Sequence, residues 1–243
     1  MVFGVVTGLA LVSMPLFALS GARARTDPRA PREKGSFVLG SFVRDWFYWF
    51  VRPVEQASLA LRLGPLFYNL AGLFFGVLAG VFFAYGEMTA AGWAILVGGA
   101  ADVLDGRIAR ARGMASRRGA FIDSTLDRFA EFAAFVGLAA WFRFSGPALV
   151  LVVTALGGSL LVSYTRARGE SLGVLCKLGV MQRAERLLLL GFAGIFDPAV
   201  SAGLGRDQPG ALLFPVLAII ALGTVGTALF RTVWIARRLP ETD

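Results

Sequence analysis

The sequence predicts an all-α integral membrane protein with six transmembrane helices preceded by an amphipathic interfacial helix. Three observations lead there. Of the 243 residues, 56% are hydrophobic and only 16% are charged, with a mean hydropathy of +0.68, where an average soluble domain carries about 25% charged residues. A soluble domain of this size has too little interior to hide that apolar excess. The excess is also gathered into stretches of the length a bilayer demands, roughly 20 residues per helix. Finally, the basic residues cluster between those stretches in an alternating pattern.

The predicted spans run about 63–86, 89–111, 119–142, 146–168, 184–204 and 211–235. The second, third and fourth carry charges at one end, where charged residues in membrane helices mark function or snorkel to the interface. With the N-terminal tail inside, all but two of the 24 basic residues, Arg143 and Arg206, fall on the cytoplasmic side, as the positive-inside rule requires. Residues 1–20 form a further apolar stretch without the basic start of a signal peptide. It reads either as an extra span or as an upstream extension.

Ala22 to Lys34 is rich in Arg and Pro and reads as a linker. Leu39, Phe42, Val43, Trp46, Phe47, Phe50 and Val51 then recur at helical spacing, opposite Arg44, Asp45 and Arg52. That is the pattern of a helix lying in the membrane interface, with a short buried helix as the alternative. Pro53 kinks or ends it. The expected organisation is an apolar stretch and basic linker over 1–36, a juxtamembrane amphipathic helix over 37–61, and a six-helix domain over 62–238.

Composition narrows the chemistry. There is no histidine and a single cysteine, Cys176. Acid–base work therefore falls to carboxylates, Lys, Tyr or water. A metal site must use oxygen ligands, which select Mg2+, Mn2+ or Ca2+. The net charge of +8 sits between apolar spans, which points to anionic lipid headgroups and phosphorylated substrates and away from nucleic acid.

Four aspartates occupy the cytoplasmic ends of two adjacent spans. Asp102 and Asp105 are spaced i, i+3; Asp123 and Asp127 are spaced i, i+4. Each pair shares one helix face, and the short connection is expected to make the two helices antiparallel neighbours, so that both pairs can converge. Four gathered carboxylates repel, and divalent cations are the obvious compensation. Pairing with Arg107, Arg110 or Arg128 is the plainer alternative.

The full string is Asp102-Val-Leu-Asp105-Gly106-Arg-Ile-Ala109-Arg110, eight residues, Gly119, three residues, Asp123, three residues, Asp127. It resembles the signature of the CDP-alcohol phosphatidyltransferase family at every fixed position. The resemblance implies a membrane enzyme, forming a homodimer in the cell membrane, with its active site facing the cytoplasm. Such an enzyme moves a phosphatidyl group from CDP-diacylglycerol (CDP-DAG) to an alcohol and releases CMP. It implies two Mg2+ or Mn2+ ions held by Asp102, Asp105, Asp123 and Asp127, with Asp127 as the base for the incoming hydroxyl. The CDP-lipid would be bound by Asp105, Gly106, Ala109, Arg110, Ser116 and Gly119. The glycines allow close approach to the helix backbone, and Arg110 pairs with a diphosphate oxygen. Tyr68 and Asn69 would add contacts from the first span, although Pro65-Leu-Phe-Tyr68-Asn69 departs from the family's P-N-x-x-T.

Ser163-Tyr-Thr-Arg166-Ala-Arg168-Gly-Glu170 and Gly179-Val-Met-Gln-Arg183-Ala-Glu-Arg186 resemble the phosphatidylinositol-phosphate synthase branch. Ser163, Arg166, Arg183 and Arg186 are accordingly expected to hold a phosphorylated polyol such as inositol phosphate. Glycerol phosphate, serine and free inositol are the alternative acceptors. A prenyltransferase is disfavoured because only 17 residues separate Asp105 from Asp123. A small transporter is disfavoured because these aspartates lie near one interface and no repeat is visible.

Overall fold

The computed structural model describes residues 13–19 and 40–240, and every structured element among them is helical. The predicted linker, Leu39 and most of the 1–20 stretch lie outside the described residues. Helix α1 covers 13–19 and packs on α2 (Gly40–Ala60). Trp46 Nε1 donates to Ser13 Oγ at 3.0 Å, and the Phe17 ring meets those of Phe42 and Trp49 at 5.6 and 5.8 Å.

Six further helices follow: α3 (Pro65–Ala84), α4 (Met88–Ala111), α5 (Arg117–Trp141), α6 (Gly146–Ser171), α7 (Arg183–Gly203) and α8 (Leu213–Ala236). Each corresponds to one of the predicted spans. Five of them, all except α5, are long and apolar enough to cross a membrane. The reason α5 differs is chemical: Asp127, Arg128 and Glu131 interrupt its apolar half. Large apolar side chains such as Phe74, Phe132, Val153 and Leu222 point outward, as expected when lipid rather than water is the solvent.

The packing is not a simple sequential bundle. Helix α3 packs against both α4 and α5, whereas α4 and α5 barely touch each other. Small residues allow this closeness: a methyl group on Gly76 or Gly80 would collide with Ala130 or with the backbone at Ala133 of α5. Likewise α4 meets α7 where Gly92 faces the Gly191 carbonyl, and α6 packs on α8. The main core, around Phe83, Met88, Phe135, Leu138, Leu217 and Ile220, joins these units.

Two polar devices support the frame. Asp197 is fully buried in α7, and its carboxylate accepts from the Leu212 and Leu213 amides at 2.8 Å each and from Ser201 Oγ at 3.1 Å. It thus caps α8, satisfying amides that helix geometry leaves without partners. Arg231 is buried in α8 and donates to the Leu178 and Val162 carbonyls at 2.7 and 2.9 Å, pinning the connection between α6 and α7.

Pro53 does not end the amphipathic helix, which runs on to Ala60. Proline removes one helical hydrogen bond, but the turns after it are held by packing. Before the proline, Val51 is buried in a cluster with Tyr68, Ala101, Leu104 and Ile108, and after it Glu55 and Ser58 are 2% exposed. The chain turns away from the helix at Arg62, which has a φ of 56°. Arg112 Nη1 caps that end by donating to the Arg62 carbonyl at 2.9 Å.

Candidate active site

The aspartates converge where the C-terminal end of α4 meets the first turns of α5. The connection is short because α4 closes tightly, with the Met114 amide bonded to the Ala109 carbonyl at 2.8 Å. Ser116 then caps α5, its Oγ accepting the Gly119 amide at 3.0 Å. A serine cap at this point is what local chemistry favours, so Ser116 has a structural task in addition to the lipid contact expected of it.

Oxygens of Asp102, Asp123 and Asp127 all lie within 4.8 Å of one another. Asp105 is 5% exposed, faces Asp123 at hydrogen-bonding range, and leaves its Oδ2 buried without a partner among the described residues. Buried polar atoms are nearly always satisfied, and a cluster of hard oxygen donors matches a divalent cation. The donor set therefore fits a divalent metal.

Three further residues define the cluster's surroundings. Asn69 of α3 reaches Asp123, Nδ2 to Oδ1, at 3.4 Å. The adjacent Tyr68 turns the other way, burying its hydroxyl against Ser58 of α2 in a short hydrogen bond. The expected contact from the first span thus divides, with Asn69 beside the aspartates and Tyr68 behind them. Arg183, the first residue of α7, donates from Nη1 to Asp102 Oδ2 at 2.7 Å and to Asp127 Oδ2 at 2.8 Å.

None of the arginines considered from local sequence makes that contact. Arg107 pairs with Glu55, Arg128 donates to the Ser124 carbonyl, and Arg110 folds its guanidinium back over Gly106. A methyl group at Gly106 would lie 3.2 Å from Arg110 Nη1, so this glycine also makes room for its own neighbour four residues on.

The four residues expected at the acceptor have different partners. Arg183 lies on the aspartates. Arg166 is exposed at the end of α6, paired with Glu170 at 2.9 Å, a type of contact worth little and easily exchanged. Ser163 is half-buried one turn earlier. Arg186 is 2% exposed, and all three of its nitrogens are engaged: Nε and Nη2 with Glu131 at 2.6 and 2.9 Å, and Nη1 with the Met181 carbonyl at 3.1 Å. These contacts brace the start of α7 one turn from Arg183.

Glu131 was not singled out from sequence. The available signal was its position four residues after Asp127, on the same face of α5. Glu131→Ala would leave Arg186 charged and unpaired in the interior and is expected to destabilise the protein by about 3–5 kcal/mol. The double replacement Glu131→Met/Arg186→Leu should lose far less. Thermal unfolding in detergent compares the two.

The comparisons with known proteins agree with this geometry. A sequence model of the CDP-alcohol phosphatidyltransferases matches residues 65–196. A phosphatidylinositol phosphate synthase from Streptomyces avermitilis is 36% identical over 86% of this chain and 87% of its own. An archaetidylinositol phosphate synthase from Methanothermobacter thermautotrophicus is 33% identical over 77% of this chain and 91% of its own. Among solved structures, the Mycobacterium tuberculosis phosphatidylinositol phosphate synthase with CDP-DAG bound superposes with a TM-score of 0.65. It is 28% identical, over 75% of this chain and 92% of that one. The same enzyme in complex with manganese and citrate gives a TM-score of 0.66 at 27% identity, over 76% and 88%. With the signature residues gathered at one end of a helical membrane domain, and relatives of this kind along most of its length, the chain belongs to the CDP-alcohol phosphatidyltransferase family.

Proposed function

We propose that this protein transfers the phosphatidyl group of CDP-diacylglycerol to a hydroxyl of inositol phosphate and releases CMP. The observation that carries the reading is the convergence of Asp102, Asp123 and Asp127 within 4.8 Å, with Asp105 behind them and Arg183 on their border. Asp102, Asp105, Asp123 and Asp127 would hold two Mg2+ or Mn2+ ions. When bound, such ions neutralise a diphosphate and polarise its phosphoryl oxygens.

The protein's own groups do the rest. Gly106, Ala109 and Gly119 keep the lining of the site narrow, so that the cytidine diphosphate lies close to α4 and α5. Arg110, released from its fold over Gly106, pairs with a diphosphate oxygen, and Ser116 and Asn69 add polar contacts. Asp127 accepts the proton of the acceptor hydroxyl. That oxygen bonds to the phosphatidyl phosphorus as the bond from phosphorus to the CMP oxygen breaks. Arg183 and Arg166, with Ser163, orient the acceptor's phosphate. Arg186 acts through Glu131 to fix the start of α7.

The same reading makes residues 62–238 a catalytic domain of six membrane spans, with α5 as the charge-bearing third. Helix α2 lies along the cytoplasmic interface of the cell membrane, and the enzyme works as a homodimer. The relatives' names favour inositol phosphate over glycerol phosphate, serine or free inositol.

A panel experiment tests the acceptor. Purified protein is incubated with labelled CDP-diacylglycerol and each candidate acceptor, and the product lipid is identified by mass spectrometry. Inositol phosphate should give the fastest CMP release. Preference for serine or free inositol would remove the phosphate-binding role of Arg166 and Arg183.

A further inference from the structure

Several buried groups on α2 have no part in the chemistry described above, yet they grip α4, which carries Asp102 and Asp105, and α3, which carries Asn69. Glu55 accepts from Arg107 Nε at 2.8 Å and from Nη2 at 2.7 Å, with both side chains at most 4% exposed. The Tyr48 ring covers the same guanidinium at 4.9 Å. Ser58 is bonded to the Tyr68 hydroxyl, and Arg112 reaches back to the Leu59 carbonyl at 3.3 Å.

The helical wheel gives these contacts a meaning. At 3.6 residues per turn, Arg107 lies about 140° from Asp102 and about 200° from Asp105 around α4. The bond to Glu55 therefore holds α4 from the side opposite its aspartates. On α3, Tyr68 and Asn69 are consecutive and about 100° apart. Tyr68 is held by α2, while Asn69 donates to Asp123. Both helix ends are thus braced from behind by one element.

Stability alone is a poor reason to bury the Glu55–Arg107 pair, because desolvating two charges cancels most of their attraction. A directional pair of this kind does fix one rotation and one height of α4, which an apolar contact would leave free to slide.

We propose that α2 is a positioning element for the reaction: Glu55 through Arg107, and Ser58 through Tyr68, set the placement of Asp102, Asp105 and Asn69. The inference rests on the aspartates being the metal site. Glu55 and Ser58 are not among the residues assigned to substrate or metal. They act through the residues they hold, in the way that outer partners of metal ligands tune affinity.

The test uses the full-length protein in lipid nanodiscs, with Mn2+ binding followed by electron paramagnetic resonance alongside steady-state kinetics and Tm. The apolar double variant Glu55→Leu/Arg107→Leu should keep a Tm near wild type. Its Mn2+ Kd and its kcat should each worsen roughly tenfold, with the acceptor KM unchanged. The charge reversal Glu55→Arg/Arg107→Glu should recover part of that loss. An apolar variant that binds Mn2+ and turns over like wild type reduces α2 to a membrane anchor and overturns the proposal. If that variant does not fold, Ser58→Ala decides: a weaker Mn2+ Kd at unchanged Tm supports the proposal, and an unchanged Kd overturns it. Wild-type protein that fails to bind Mn2+ overturns the metal reading itself, which separates the two failures.

Discussion

Asp127→Asn is expected to lower turnover by about 10²-fold or more while leaving CDP-lipid binding largely intact. The substitution keeps the size of the side chain and its place on α5, but an amide cannot take the hydroxyl proton. With no histidine in the chain, few other groups could substitute, and Asp127 is the cluster member farthest along α5 into the domain. The contrast is Asp105→Asn. That carboxylate is 5% exposed and its Oδ2 has no partner among the described residues, so neutralising it should weaken metal and nucleotide binding together. Rapid-mix product formation alongside equilibrium binding of a CDP-lipid analogue distinguishes the two. Wild-type turnover in Asp127→Asn would remove the aspartate from its assigned role.

Removing divalent metal is expected to abolish activity, with Mg2+ or Mn2+ restoring it. The argument is electrostatic. Asp102, Asp123 and Asp127 bring three carboxylate oxygens within 4.8 Å of one another, and the single guanidinium of Arg183 meets only two of those groups. A CDP-lipid diphosphate adds further negative charge to the same place. Cations must offset that charge, and oxygen ligands select hard ones. Protein dialysed against chelator should show no CMP release above background. Titrating Mn2+ back should restore it in parallel with binding, and the stoichiometry should reach two. Full activity in chelator would discard the metal-dependent mechanism.

The sequence carried the parts of this protein that depend on short-range repetition. A bilayer requires about 20 apolar residues per crossing, so the helix bounds could be read from composition within a few residues. The aspartate motif was equally legible because i, i+3 and i, i+4 spacing places side chains on one helix face whatever the surroundings. The same logic gave the extent of α2 past Pro53, where Glu55 and Ser58 are buried, though not the partners that those two residues meet.

What the tertiary structure decided was which charges meet. Arg186 finds Glu131 across 55 positions, and Arg107 finds Glu55 across 52. Asp197 caps a helix that starts 16 residues later. The wedge of α3 between α4 and α5 was likewise invisible, since their short connection alone would make those two helices direct neighbours. Spacing along one helix fixes a face, but it does not say which helix that face will meet. That choice belongs to the packing of small residues such as Gly76, Gly80 and Gly92, and the buried ion pairs are consequences of it.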